Sequence, residues 1–326
     1  MAQDFMTGKL IVIQGPTAVG KTGVAIEVAQ ALRAEVGGTE VGGSEIVSAD
    51  SRQIYRTMDI GTAKPTPEQR QHAPHHLLDV VNPDENLGLA HYLRLAYETI
   101  DDIHRRGQLP MLVGGTGQYI TALLEGWTVP EVAPNLSLRA ELEQMAAEQG
   151  AESLLPRLRQ LDPISADQID YRNVRRVIRA IEVSQETGKP FSELKRKTPP
   201  PYTVFQIGLT MARDRLHQRA DRRVDQMIAD GFVEEVRHLL DMGYKRDLPS
   251  MSGLGYSQLA AHLQDGLPLA QAIALTKIAT HQFIRKQYIW FRGHEQADCP
   301  IVWHNVEELD VVGLTHSISR WMQERT

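Results

Sequence analysis

Apolar residues in the first third of the chain fall into short runs separated by stretches of helical spacing. Lys9-Leu10-Ile11-Val12-Ile13 reads as a strand, and Thr22-Gly23-Val24-Ala25-Ile26-Glu27-Val28-Ala29 reads as a helix. Glu45-Ile46-Val47-Ser48 is a second strand that runs into Ala49-Asp50-Ser51, and His76-Leu77-Leu78-Asp79-Val80-Val81 is another strand candidate. Leu89 to Arg106 has helical spacing and ends near Gly107. Leu109-Pro110-Met111-Leu112-Val113 is a strand that Gly114-Gly115-Thr116-Gly117 turns into a further helix. Strands alternating with helices predict a parallel, doubly wound sheet, and ligands of such sheets sit past the carboxyl ends of the strands. Lys21, Asp50 and Thr116 all lie just past such ends.

The pattern changes near Gly126. From there to about Pro201 the chain is helical and charged, and Pro199-Pro200-Pro201 marks a boundary. Val204 to Leu209 then reads as a strand returning to the sheet, residues 212–292 as mostly helical, and Ile301-Val302-Trp303 as a last strand. The expected division is a first part of the core over 1–125, a helical insertion over 126–201, and a second part of the core with C-terminal helices over 202–326.

Gly15-Pro16-Thr17-Ala18-Val19-Gly20-Lys21-Thr22 fits G-x-x-x-x-G-K-[ST] between a strand and a helix, the context this phosphate-binding loop requires. Its backbone N–H groups and the helix N-terminus favour phosphate oxygens, Lys21 reaches the terminal phosphates, and Thr22 offers a hydroxyl to Mg²⁺. The motif specifies a polyphosphate and leaves its identity open. The fold class expected is α/β, a P-loop-type doubly wound parallel sheet with a helical insertion domain.

Other candidates are less specific. Asp50 suits either a helix N-cap or a carboxylate that takes a proton or holds Mg²⁺. Thr116, in a glycine-paired turn, suits either a cap or a donor to a leaving-group oxygen. Arg172, Arg175, Arg176 and Arg179 are spaced i, i+3, i+4 and i+7 with no acidic residue between them, which suits phosphate contacts better than internal ion pairs. Arg215, Arg219, Arg222 and Arg223 are interleaved with Asp214, Asp221 and Asp225, as on a solvated, ion-paired helix. Arg285-Lys286-Gln287-Tyr288-Ile289-Trp290-Phe291-Arg292 suits a nucleic-acid backbone, or an amphipathic helix that buries Ile289, Trp290 and Phe291. His75 and His76 are adjacent, so their side chains diverge on a strand, and a metal site there is not expected.

Composition narrows the classes. The chain has 326 residues, 42% hydrophobic and 23% charged, an ordinary globular balance. A net charge of −6 confines any nucleic-acid binding to local basic patches. Cys299 is the single cysteine, which rules out an intramolecular disulfide and a cysteine zinc site. No apolar run approaches the roughly 18 residues of a membrane span, and the N-terminus lacks a basic segment followed by a long apolar one. The expected location is the cytoplasm.

In order along the chain stand GPTAVGKT (15–22), SADSRQIYRTMDIGTAKP (48–65), PHHLLDVV (74–81), LVGGTGQYI (112–120), RRVIRAIEVSQETGKPFSEL (175–194), RADRRVDQMIADGFVEEV (219–236), SGLGY (252–256) and THQFIRKQYIWFRG (280–293). Together they resemble the tRNA dimethylallyltransferase family in its bacterial form, over nearly the whole chain. The resemblance implies transfer of a dimethylallyl group from dimethylallyl diphosphate to N6 of adenosine at position 37 in the anticodon loop of tRNA. It implies Asp50 as general base, and Thr116 and Arg223 at the reaction centre. Gly15, Pro16, Thr17, Ala18, Val19, Gly20, Lys21 and Thr22 would hold the diphosphate, with Mg²⁺ on Thr22. For tRNA it implies Asp50, Ser51, Arg52 and Gln53; Arg139, Arg175, Arg176 and Arg179 in the insertion; Ser252, Gly253, Leu254, Gly255, Tyr256 and Ser257; and Arg285, Lys286, Gln287, Trp290 and Arg292. A monomer without membrane attachment is expected. The glycine-rich stretch 37–44 departs from the pattern and is expected to be a surface loop, and a lone Cys299 leaves no zinc-finger extension. Rival readings are an adenylate isopentenyltransferase acting on free AMP, ADP or ATP, a P-loop kinase or NTPase, and a tRNA-binding protein with a vestigial site.

Overall fold

The computed structural model describes residues 8–35, 43–194, 196–295 and 299–324. The chain start and most of the glycine-rich stretch, 37–42, lie outside the described residues. In chain order the elements begin with β1 (Lys9–Gln14), α1 (Lys21–Glu35), β2 (Ser44–Ala49), α2 (Pro67–His72), β3 (His75–His76), α3 (Leu89–Arg105), β4 (Leu109–Gly114) and α4 (Gly117–Leu124). A helical run follows: α5 (Leu136–Gln149), α6 (Leu155–Leu161), α7 (Pro163–Gln168), α8 (Val174–Thr187) and α9 (Phe191–Leu194). The chain then continues through β5 (Thr203–Thr210), α10 (Arg213–Ala229), α11 (Phe232–Asp241), α12 (Tyr256–Asp265), α13 (Leu269–Gly293), β6 (Val302–Asn305) and α14 (Val311–Gln323).

These elements form two compact units. The first comprises Met1–Gly88, Tyr92–Thr121 and Pro201–Thr326, and the second Leu89–His91 and Ala122–Pro200. The first unit carries a six-stranded sheet in the order β3-β2-β4-β1-β5-β6, with every pairing parallel. β1, β2 and β4 are buried along their whole length, as continuous apolar runs in a sheet covered on both faces should be. Ile11, Ile13, Met111, Val113 and Ile207 of the sheet pack with Val28 and Leu32 of α1, Leu216 of α10, Ile284 of α13, and Leu314 and Ile318 of α14.

Lys9 sits at 3% exposure in β1 because its ammonium donates to the Trp321 and Glu324 carbonyls, at 2.7 and 2.9 Å, and lies over the Trp321 ring. Loss of three hydration partners from a buried ammonium is costly unless such acceptors replace them. This ties the C-terminal helix to the first strand.

The strand expected over 76–81 is only His75–His76. Leu77 and Asp79 adopt φ of 60° and 56°, in the left-handed region, which takes the chain out of the sheet. The segment bonds instead to the turn after β2: Asp79 N–H donates to the Gln53 carbonyl, Val80 N–H to that of Ile54, and Arg56 N–H to that of Val81.

The second unit is helical. Leu138 and Leu142 of α5, Leu158 of α6, and Val177, Ile178 and Ile181 of α8 form its core. Asn135 and Asn173 cap α5 and α8, each accepting a backbone N–H with its side chain.

Topology fixes where a ligand sits in the first unit. β1 and β4 are neighbours, yet the chain leaves β1 toward β2 on one side and leaves β4 toward β5 on the other. The crevice past Gln14 and Gly114 is therefore the switch point of the sheet.

Candidate active site

The loop 15–20 leaves β1 at that crevice and enters α1 at Lys21. Gly20 has φ of 108°, a conformation that calls for glycine, and a Cβ there would also stand 3.1 Å from the Arg219 guanidinium, which would have to shift. The first turn of α1 directs unpaired N–H groups outward, as any helix start does, and favours an anion. Thr17, Ala18, Gly20, Lys21 and Thr22 line a cavity of about 720 Å³ together with Asp50, Gln53, Gly114 and Arg223.

Three charged groups set the electrostatics at its phosphate-loop end. Burial pulls the Lys21 ammonium down to about 8; Asp50 opposes that shift and Arg223 adds to it. Burial also lowers the Arg223 guanidinium, with Asp50 acting against it and Arg219 with it. The Lys21 ammonium donates to the Pro16 carbonyl at 2.8 Å. One Asp50 carboxylate oxygen accepts the Arg52 N–H at 2.8 Å, which fixes the side chain at the strand end. Asp50 therefore makes the local turn bond of a cap while also facing the cavity. At the phosphate-loop end, two cations, Lys21 and Arg223, surround the one carboxylate of Asp50, and this local excess of positive charge favours an anionic ligand there.

The interleaved aspartates of α10 do not neutralise its arginines. Asp221 pairs with His281 at 2.8 Å and Asp225 with Lys277 at 2.7 Å, both on α13, while Arg215 pairs with Glu307. Arg219 and Arg223, one helical turn apart, keep no ion pair among the described residues and both face the phosphate loop. The expected ion-paired face is thus a helix–helix seam on one side and a cationic face on the other.

Thr116 stands beside Asp50. Its N–H donates to the Ala49 carbonyl at 3.1 Å, and its Oγ1 accepts the Ser51 N–H at 3.0 Å. The phosphate loop and the Gly115 turn are joined by Gln287, 6% exposed, which accepts the Thr17 N–H and donates to the Gly115 carbonyl, each at 2.8 Å. Trp290 packs on Gly117, where a Cβ would lie 2.2 Å from its ring, and donates to Thr121 Oγ1 at 3.1 Å.

The far wall of the cavity is the segment 59–70. Lys64, 7% exposed, is held between Asp59 and Asp79 and donates to the Tyr55 carbonyl. The Glu235 carboxylate accepts the N–H groups of Asp59, Ile60 and Gly61 and the Tyr256 hydroxyl. Glu235 fixes this wall; it lies in the motif 219–236, but nothing local in the sequence shows that its partners are the N–H groups of 59–61. Gln287 was likewise read with its cationic neighbours.

The other sequence-selected residues divide by what they touch. Arg52 donates to the Pro249 carbonyl at 2.6 Å and to Ser252 Oγ at 3.1 Å, so two of the selected segments meet. Gln53 donates to the carbonyls of Thr62 and Ala63. Ser252 and Ser257 are exposed, Leu254 is half-buried, and Gly253, Gly255 and Tyr256 are buried, Tyr256 edge-on to Phe232. Arg285, Lys286 and Arg292 are exposed on α13. Of the three apolar residues expected to be buried there, Phe291 is 2% exposed, Trp290 is half-buried and Ile289 is 62% exposed.

In the second unit the arginine stripe is not uniformly free. Arg172 precedes α8 and pairs with Asp170. Arg179 pairs with Glu182 and donates to the carbonyls of Pro130 and Val132. Arg139 makes two hydrogen bonds to the same Glu182, at 2.7 and 2.8 Å. Glu182 lies i+3 from Arg179, just outside the stretch free of acidic residues, which is why the sequence suggested four free guanidiniums. Arg175 and Arg176 are exposed and make no side-chain ion pair among the described residues.

A divalent cation was expected on Thr22. No group of three or more His, Cys, Asp or Glu side chains suited to a metal occurs among the described residues. Thr22 and Asp50 line the same cavity, a sparse oxygen set that fits Mg²⁺ bound mainly through phosphate and water. No described helix is long and apolar enough to cross a membrane.

A family model described as IPP transferase matches residues 53–294, and one described as TIP49 P-loop domain matches residues 1–59. The tRNA dimethylallyltransferase of Roseiflexus sp. (strain RS-1) is 52% identical over 283 residues, 87% of this chain and 90% of that one. That of Dehalococcoides mccartyi is 42% identical over 315 residues, 97% of this chain and 93% of that one. Among solved structures, the full-length tRNA isopentenylpyrophosphate transferase of Bacillus halodurans superposes with a TM-score of 0.69 at 36% identity, covering 97% of each chain. A eukaryotic dimethylallyltransferase acting on tRNA shares the fold, with a TM-score of 0.76 at 23% identity over 98% of this chain and 81% of that one.

Proposed function

This chain belongs to the IPP transferase family, among relatives named tRNA dimethylallyltransferases, and we propose that it moves the dimethylallyl group of dimethylallyl diphosphate onto N6 of adenosine 37 in the tRNA anticodon loop. The observation that carries this reading is the placement of Lys21, Arg223 and the phosphate loop around one carboxylate, Asp50, in a single cavity.

In the reaction the allylic C–O bond breaks as the N6–C bond forms. Positive charge spreads over the prenyl group, and negative charge grows on the departing diphosphate. Lys21, Arg223 and the loop amides stabilise that growing charge more than the ground state, which lowers the barrier. N6 is a weak nucleophile, and Asp50 takes its proton as the new bond forms. Thr116 Oγ1 accepts from Ser51 N–H and donates to Ser51 Oγ only over a long 3.3 Å, so its proton can be redirected to the bridging oxygen of the leaving group. Thr22 would hold Mg²⁺, which when bound would supply charge neutralisation on the diphosphate. The adenine must leave its stack to reach the cavity, at a cost of a few kcal/mol that is least in a single-stranded loop. Arg175, Arg176, Arg285, Lys286 and Arg292 contact the tRNA backbone in this reading, because they are exposed cations. The protein works as a cytoplasmic monomer.

Labelled dimethylallyl diphosphate offered with tRNA or with AMP tests the proposal. Label on tRNA is expected. Label on AMP alone would make the chain an adenylate isopentenyltransferase, and γ-phosphate-dependent ATP turnover without prenyl transfer would make it a P-loop kinase or NTPase.

A further inference from the structure

We infer that Gln287 is a positioning residue for the diphosphate, setting the shape of the phosphate loop from α13 rather than contacting tRNA. This rests on the reading of the cavity as a diphosphate site. The strand ladder between β1 and β4 ends at Gln14↔Gly114. Immediately beyond it, the Gln287 side chain accepts the Thr17 N–H and donates to the Gly115 carbonyl, both at 2.8 Å. Both functional ends of the amide are used, and the side chain is buried.

Only an amide of this length meets both requirements. A carboxylate keeps an acceptor for Thr17 but sets a second oxygen against the Gly115 carbonyl. The fit is also tight from the other side: a Cβ on Gly115 would stand 2.5 Å from Gln287 Nε2, and 3.4 Å from both the Gly15 carbonyl oxygen and Lys21 Nζ. Gly115, Gly15, Lys21 and Gln287 therefore converge on one point at the mouth of the switch-point crevice. Thr17 is the third residue of the loop, so fixing its N–H fixes the peptide planes next to it, which supply donors to the phosphate. The exposed neighbours Arg285, Lys286 and Arg292 share the helix but turn away from this point.

The test uses the full chain with Gln287→Met, which keeps the length and removes both hydrogen bonds. Binding of inorganic pyrophosphate with Mg²⁺ is measured by calorimetry, and binding of tRNA separately by fluorescence. Gln287→Met is expected to weaken pyrophosphate about tenfold, as loss of two buried hydrogen bonds implies, and to change tRNA affinity less than about twofold. In steady state, KM for dimethylallyl diphosphate rises while kcat stays near wild type. Gly115→Ala, which displaces the amide from the opposite side, is expected to give the same signature, and it keeps the inference testable if Gln287→Met folds poorly. Unchanged pyrophosphate affinity in both variants would overturn the inference. So would a fall in tRNA affinity equal to or larger than that for pyrophosphate. A wild-type protein that binds no pyrophosphate would instead overturn the diphosphate reading of the cavity.

Discussion

Ser51 and Thr116 hold one another across the two loops that flank Asp50: Ser51 N–H donates to Thr116 Oγ1 at 3.0 Å, and the Thr116 hydroxyl lies 3.3 Å from Ser51 Oγ as its donor. The first bond orients the hydroxyl, and the second is long enough to be exchanged for a better acceptor. Thr116→Val removes the donor at nearly constant shape and is expected to slow single-turnover prenyl transfer by about 10²-fold, the usual effect of losing one transition-state donor. Thr116→Ser should stay within about tenfold of wild type, because the donor is kept. Normal transfer by Thr116→Val would reduce Thr116 to a clip for Ser51.

Pyrophosphate binding is expected to depend on pH through Lys21. Its ammonium titrates near 8 in the free protein, so affinity for pyrophosphate should fall as pH rises through 8. Lys21→Arg should flatten that fall, since a guanidinium stays charged. For stability the sign is opposite to that of a salt-bridged lysine. The folded value lies below the ordinary 10.5, so the unfolded chain binds more protons between about 8 and 10.5, and the destabilisation present below pH 8 is relieved across that window. Lys21→Met should therefore raise the melting temperature at pH 7 while abolishing pyrophosphate binding. Calorimetry and thermal melts check both halves.

Asp50→Asn keeps an oxygen for the Arg52 N–H and removes the charge. Pyrophosphate affinity should hold or tighten, since one negative charge leaves the neighbourhood of Lys21 and Arg223. Transfer should drop by about 10²-fold or more, the worth of a general base. Near-normal turnover would sink the assignment.

Glu182 is the electrostatic centre of the second unit. Burial alone would raise its carboxyl, but hydrogen bonds from Arg139 and Arg179 and the Asn135 N–H outweigh that and bring it to about 2. Its stabilisation is present above the unfolded value of 4.5 and is lost as pH falls from there toward 2. Glu182→Ala strands two partly buried guanidiniums and should destabilise this unit by about 3–5 kcal/mol, read as faster amide exchange over 122–200. Arg139→Ala should act the same way, more weakly, and its effect on tRNA should follow that loss of order.

Arg175 and Arg176 have no such partner among the described residues. Arg175→Ala and Arg176→Ala should each weaken tRNA binding and reduce the slope of log affinity against log salt by about one, while leaving pyrophosphate affinity unchanged. Equal weakening of both ligands would point to a structural role for α8.

Chemistry that is local along the chain is legible in the sequence. A strand, a glycine-bearing loop and a helix start are contiguous, so GPTAVGKT announced a phosphate site, and the strand ends at Asp50 and Thr116 followed from the same alternation. Pairing between distant segments is not legible there. The interleaved Asp and Arg residues of α10 suggested pairs within one helix, but α13 supplies Lys277 and His281 to the aspartates. The stretch 76–81 has strand-like apolar residues, but Asp79 is drawn toward Lys64 and Arg70 and the chain leaves the sheet.

The sequence by itself therefore determined the α/β alternation, the helical insertion, the phosphate loop and, through its ordered motifs, the family. Those properties depend on residues near one another in the chain. Tertiary structure decided which charges are free and which are spent: Arg223 and Arg219 facing the loop, Arg139 and Arg179 committed to Glu182, Glu235 pinning the cavity wall, and Gln287 bridging Thr17 and Gly115. The physical reason is that a charge or an amide acts through whatever lies within a few ångströms, and folding chooses those neighbours from anywhere along the chain.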